Sequence, residues 1–153
     1  MSGFLGEYEA TIDAKGRFLL PAALRRRMPE GTNLLVVNRG MDDCLYMYLP
    51  EDWKQVEDTL RKVNPYDSRE NRMIRKALIA GAVYLEFDSA GRLNLPKNLM
   101  EYASLDKDIV LAGDIDKVEI WDKEKYNKLF ESLTPDKLSA MASGILGSGK
   151  NNA

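Results

Sequence analysis

A chain of 153 residues with 44% apolar and 30% charged residues suits one or two small water-soluble domains. Its formal net charge is −2 and its pI about 5.3, so a nucleic-acid partner would have to be held by a local basic cluster rather than by overall charge. It has no histidine and one cysteine, Cys44, which removes the usual general base, the Ser-His-Asp and Cys-His arrangements, an internal disulfide and a zinc site of the usual ligand types.

The chain opens on a period of two. In "EYEATID", Tyr8, Ala10 and Ile12 alternate with Glu7, Glu9 and Thr11, the pattern of a half-buried strand. Asp13-Ala14-Lys15-Gly16 fits a type I turn with a glycine bulge, and Arg17–Leu20 resumes the strand. Pro21 starts a short helix, "PAALRRRM", which Pro29 and Gly31 end. "NLLVV" and "CLYMYL" are strands around the turn "NRGMDD". From Pro50, "PEDWKQVEDTLRKV" places Trp53, Val56, Leu60 and Val63 at helical spacing, with acids first and bases last. Asn64-Pro65 breaks that helix. Asp67 with Glu70 predicts a capping box opening a helix over 69–80, closed by Gly81.

The same order then repeats. "AVYLEFD" is a strand, Asp88-Ser89-Ala90-Gly91 a turn, "RLNL" a strand and "PKNLMEYA" a short helix. "DIVLA" and "KVEIW" are strands around a turn at Gly113–Asp116, and "DKEKYNKLFESL" is a helix with Tyr126, Leu129, Phe130 and Leu133 on one side. Asp13, Gly16, Arg17, Leu20, Pro21 and Leu24 match Asp88, Gly91, Arg92, Leu95, Pro96 and Leu99 at one fixed offset. A unit of about fifty residues is too small to bury much of its own surface, so two copies packed as an internal pseudo-dimer is the natural reading. The expected organisation is a first unit over 4–63, an inter-unit helix over 64–81, a second unit over 82–133, a C-terminal helix over 134–146 and a flexible polar tail over 147–153.

The skeleton repeats but the charge does not. Ile12–Arg27 carries Lys15, Arg17, Arg25, Arg26 and Arg27 against Asp13 alone, whereas Phe87–Tyr102 balances Arg92 and Lys97 against Asp88 and Glu101. Clustered cations are what phosphate contact requires, and arginine can read guanine with its two-pronged fork. Lys15, Arg17, Arg25 and Arg26 are therefore the candidate DNA-binding residues. Asp13, Gly16, Asp88, Gly91 and Arg92 are candidates for structuring the two turns, with Asp13 orienting Arg17. On this reading the first copy carries the reading surface and the second completes the fold. Arg69, Arg72, Arg75 and Lys76 are assigned to a subunit interface or to solvent, Trp53, Trp121 and Tyr126 to packing, and Cys44 to an inert apolar strand.

Several stretches together resemble the MraZ family: "GEYEATIDAKGRFLLP" (Gly6–Pro21), "RKALIAGAVYLEFD" (Arg75–Asp88), "FDSAGRLNLP" (Phe87–Pro96) and "CLYMYLPEDW" (Cys44–Trp53). The paired Asp13…Arg17 and Asp88…Arg92 carry the signature. The resemblance runs from about Phe4 to Gly147. It implies an α+β, mainly β fold of two tandem swapped-hairpin, AbrB-like β-barrel units with flanking helices. It also implies a ring of subunits, an octamer or dodecamer. It implies a transcriptional regulator, usually a repressor, that binds short direct repeats in double-stranded DNA upstream of its own division and cell-wall operon.

No glycine-rich phosphate loop is present, and no enzyme activity, cofactor, metal or small-molecule substrate is expected. No apolar run approaches a membrane span, and "MSGFLGEYEA" lacks the basic-then-apolar pattern of a signal peptide. A cytoplasmic, nucleoid-associated protein is expected. The alternative reading is a non-catalytic oligomeric interaction or scaffold protein, or an antitoxin-like binder, on the same fold.

Overall fold

Both repeats split their first hairpin between two sheets, and that division organises the molecule. The computed structural model describes residues 3–151, with side chains through Gly147. β1 (Glu7–Thr11) alternates exposed and half-buried residues and turns at Asp13 into β2 (Arg17–Leu19), followed by the short helix α1 (Ala22–Arg25). β3 (Leu34–Arg39) and β4 (Leu45–Tyr48) form a hairpin leading to α2 (Pro50–Arg61). α3 (Arg69–Arg75) runs on into a single π turn, Lys76–Ala80. The second repeat follows as β5 (Val83–Glu86), β6 (Arg92–Asn94), α4 (Lys97–Tyr102), β7 (Asp108–Gly113), β8 (Val118–Asp122) and α5 (Lys123–Leu129). The last helix is α6 (Pro135–Asn151).

Six strands make one antiparallel sheet in the order β1-β7-β8-β4-β3-β5, and β2 and β6 pair separately as a two-stranded ribbon. The first repeat's β1 thus lies on the second repeat's β7, and the second repeat's β5 lies on the first repeat's β3. This is the exchange a swapped-hairpin pseudo-dimer requires. Matched residues face each other where the copies meet: Tyr46 opposite Glu119 between β4 and β8, and Phe18 opposite Leu93 in the ribbon. A pseudo-two-fold axis passes through both pairs.

The expected barrel does not close. β1 and β5 remain the two edges of the six-stranded sheet, because the chain leaves it at Asp13 and at Asp88 to build the ribbon instead. One core joins both repeats. Phe18 and Leu93 from the ribbon, Leu24 and Leu99 from the short helices, and Leu35, Leu45, Ile109 and Ile120 from the sheet are buried together. At about 1.5–3 kcal/mol per buried side chain of this size, neither repeat reaches the same stability without the other's strand and hairpin. Trp53 packs on Tyr48 (ring centroids 5.6 Å apart), and Trp121 is buried in β8.

Contacts divide the chain into one compact unit ending at Lys123 and a second from Glu124 onward. That division does not follow the repeats, whose strands interleave. Three local expectations are corrected. The side chain that caps α3 is Ser68, whose Oγ accepts from the Asn71 N–H at 3.0 Å, while Asp67 instead accepts from Asn64 Nδ2. A hydroxyl three residues before that amide has the reach a cap needs. The helix expected over 122–133 ends at Leu129, where the Phe130 and Glu131 N–H groups donate three residues back, to the Asn127 and Lys128 carbonyls, and tighten the last turn. Thr134 instead caps α6, its Oγ1 accepting from the Lys137 N–H.

The final helix, expected over 134–146 with a tail from 147, continues to Asn151. Glycines at 144, 147 and 149 each cost only about 1 kcal/mol relative to alanine, whereas no proline intervenes to end it. The rest of the expected tail, residues 152–153, lies outside the described residues. Among the described residues no helix is long and apolar enough to cross a membrane.

Candidate nucleic-acid interface

The two turns share one hydrogen-bond design. In the first, the Asp13 carbonyl accepts from the Gly16 N–H (3.0 Å), and Asp13 Oδ1 accepts from the backbone N–H groups of Lys15 (3.0 Å) and Arg17 (2.9 Å). Its other oxygen, Oδ2, accepts from Arg17 Nε at 2.8 Å. In the second, the Asp88 carbonyl accepts from Gly91, Oδ1 accepts from Ala90 and Arg92, and Oδ2 accepts from Arg92 Nε at 2.9 Å. Gly16 and Gly91 both take positive φ, +88° and +81°, which a glycine bulge needs and an L side chain resists.

Each carboxyl group is held below its ordinary value of 3.8, chiefly by the arginine's backbone N–H; desolvation opposes this, and the turn amide and guanidinium add to it. Holding Nε leaves the terminal nitrogens of each guanidinium to form further hydrogen bonds. Asp13 thus holds Arg17 by its Nε, and Asp88 holds Arg92 in the same way.

The ribbon sets both arginines on one face. Phe18 and Leu93 point into the core, so by the strand period Arg17, Leu19, Arg92 and Asn94 point the other way. Arg17 stands opposite Asn94, and Leu19 opposite Arg92. Leu19 and Asn94 were not among the expected site residues. Their signal was the alternation in "RFL" and "RLN", two segments too short for periodicity to assign their faces.

The swap also relocates the basic helix. Arg25 lies over the ring of Phe87, 3.6 Å from its centroid, and donates from Nη2 to the Thr32 carbonyl. Phe87 immediately precedes Asp88, so α1, with Arg25 and the exposed Arg26 and Arg27 behind it, borders the second turn. The first turn instead borders α4. The Leu95 N–H donates to the Gly16 carbonyl (2.8 Å), and an open cleft beside the turn is lined by Lys15, Lys97, Met100 and Glu101.

The positive charge expected on the first copy is therefore shared. Lys15 and Arg17 stand at one turn; Arg92 and Arg25 of α1 stand at the other. A tally along the chain cannot see this, because it assumes that residues near in sequence serve the same turn. Lys15 is exposed at the turn tip and Arg26 is exposed, so both are accessible to a phosphate. Arg25 is half-buried and engaged with Phe87.

Arg72 and Arg75 engage groups outside the ribbon. Arg75 Nη1 donates to the carbonyls of Leu60 and Val63, and Arg72 Nη1 to that of Pro65, so these side chains tie α3 to the end of α2 instead of facing freely outward. Among the described residues no cluster of three His, Cys, Asp or Glu could hold a metal ion. Burial pushes the Cys44 thiol up to about 12, where it stays protonated and unreactive.

A family model described as "MraZ protein, putative antitoxin-like" matches residues 4–76 and again residues 78–144. The seam between the two matches falls in the π turn that joins the repeats. With nearly the whole chain matched in tandem, the protein belongs to the MraZ family, a family of regulatory proteins.

Proposed function

We propose that this chain is a sequence-specific DNA-binding transcriptional regulator. It acts in the cytoplasm on the nucleoid as a repressor of the division and cell-wall operon that contains its own gene. The observation that carries the reading is the outward face of the β2/β6 ribbon, where Arg17 and Arg92 stand together, each steered by a carboxylate. A two-stranded ribbon fits the major groove, and an arginine there can bond guanine O6 and N7 together. Lys15 and Arg26 supply phosphate contacts, and Arg25 holds α1 against the second turn. Asp13 and Asp88 keep the guanidinium forks aimed without touching DNA.

A single face with so few cations binds weakly at cellular salt, and a ring (octamer or dodecamer) solves this by engaging several short direct repeats at once. The exposed apolar side chains Met73, Ile74, Ile79 and Tyr84, on α3, its π turn and edge strand β5, support contacts between copies. They also favour the second reading, an antitoxin-like interaction protein whose partner is another protein.

The discriminating test is fluorescence anisotropy on duplex DNA from upstream of the protein's own gene, across a salt series, for wild type, Arg17→Ala and Arg92→Ala. Tight binding whose logarithm falls linearly with log salt is expected. Each variant should lose affinity about tenfold or more while keeping its oligomeric state. Equal affinity for scrambled DNA at every salt concentration would reject DNA reading in favour of the protein-partner function.

A further inference from the structure

The paired strands of the reading face obey the pseudo-two-fold axis in their backbone and break it in two outward side chains. Leu19 and Asn94 occupy matched positions of the repeat, one residue beyond the Phe18–Leu93 pair on the axis. The antiparallel register crosses them over, so Arg17 faces Asn94 and Arg92 faces Leu19. Each also leans on the other repeat's turn. A Cβ built on Gly16 would lie 3.2 Å from Asn94 Oδ1, and one built on Gly91 would lie 3.7 Å from Leu19 Cδ1. The first turn therefore groups Arg17 with an amide, and the second groups Arg92 with an isobutyl group. Leu19 is 59% exposed, so its side chain does little for the core, although it is paired within the ribbon.

We propose that Leu19 and Asn94 are specificity-determining contacts that make the DNA element directional. The inference rests on the DNA reading proposed above and goes further, to which bases each half selects. Asparagine bonds adenine at N6 and N7 together, whereas an apolar side chain meets the thymine methyl. One half of the ribbon selects guanine beside adenine, and the other selects guanine beside a thymine methyl. A protein face with true two-fold symmetry selects a palindrome, because the site mirrors the protein's symmetry. This face keeps the arginine pair symmetric and varies the companions placed to meet base edges; Lys15, matched by Ala90, also differs but is assigned to phosphate. The site it selects is not self-complementary and is bound in one orientation. Elements with a direction can be stacked head to tail along a duplex, which suits direct rather than inverted repeats.

The test is selection from a random duplex DNA library with the full-length protein, followed by anisotropy on the winning sequences. Four proteins are compared: wild type, Leu19→Asn, Asn94→Leu and the exchanged double variant Leu19→Asn/Asn94→Leu. Wild type should enrich a non-palindromic core. Leu19→Asn, with an Arg–Asn pair at both turns, and Asn94→Leu, with an Arg–Leu pair at both, should each shift the core towards a palindrome. Each single variant should bind the wild-type core about tenfold less tightly. The slope of log affinity against log salt should stay unchanged, because no charge is altered. The double variant should recover a non-palindromic core. Both positions are exposed, and thermal melting checks that the variants stay folded. An identical core for all four proteins, or a palindromic core for wild type, overturns the proposal while leaving DNA binding intact. Failure of wild type to enrich any sequence, with no salt-dependent binding, overturns the DNA reading and this inference with it.

Discussion

The turns at Asp13–Arg17 and Asp88–Arg92 are built alike and housed differently. Both use one carboxylate to gather two backbone amides and one guanidinium, with Nε distances of 2.8 and 2.9 Å. Around the first, Gly16 is hemmed in by the Leu95 carbonyl and Met100 Sδ; around the second, among the described residues only Leu19 Cδ1 comes within 4 Å of a Cβ built on Gly91. The first turn borders the charge-balanced α4, and the second borders α1, whose Arg25 lies over Phe87. A device repeated in sequence thus acquires two characters from its neighbours. Its internal hydrogen bonds are local and copy faithfully, while its surroundings come from the opposite repeat.

The largest expected effect tests what the turns share. Phe18→Ala empties the core at the axis, where both ribbon strands meet, and should cost about 3–5 kcal/mol in urea unfolding. Loss of that size should abolish both turns together. A variant that disordered one turn and spared the other would show that the halves fold separately.

Next in size is the contrast between the glycines. Gly91→Ala meets an ordinary van der Waals contact with Leu19 Cδ1 and should cost about 1–2 kcal/mol for its left-handed backbone. Gly16→Ala adds a collision with the Leu95 carbonyl and Met100 Sδ, worth about another 1–3 kcal/mol as overpacking. Equal losses in the two unfolding curves would mean that the first turn relaxes freely and that its crowding is unimportant.

Arg25 and Arg26, at the end of α1, sharpen the comparison from the second turn's side. Arg25→Ala removes the stack on Phe87 and should cost about 0.5–2 kcal/mol of stability. Arg26→Ala should leave stability within about 0.5 kcal/mol and lower the salt slope of DNA binding by about one. The reverse pattern would make Arg25 the DNA contact and Arg26 the structural residue.

The smallest effect is on pH dependence. Both turn carboxyls titrate below the ordinary 3.8, so their stabilisation is complete above that value and is lost as pH falls through the lower folded values. Asp13→Asn and Asp88→Asn should each be less stable than wild type near neutral pH, and the gap should narrow in acid. A gap independent of pH would assign the aspartates' effect to shape rather than charge.

Much of the fold was legible because it is local. The alternation in Glu7–Ile12, the aspartate and glycine of each turn and the proline-led helices each report on a few consecutive residues, and they recur at a fixed offset. Ser68 was passed over for Asp67 because both residue types cap helices and only backbone geometry separates them. Leu19 and Asn94 were overlooked because a three-residue strand has no period long enough to read. Determined by the sequence alone were the repeat, its turns and its need for a partner copy, since about fifty residues cannot bury an adequate core. Decided by the tertiary structure was which copy serves which turn. β1 crosses to β7 and β5 to β3, so Arg25 of α1 borders the second turn and Asn94 comes to stand beside Arg17. Strand pairing joins residues remote along the chain through register and shared burial, and a charge count along the chain contains neither.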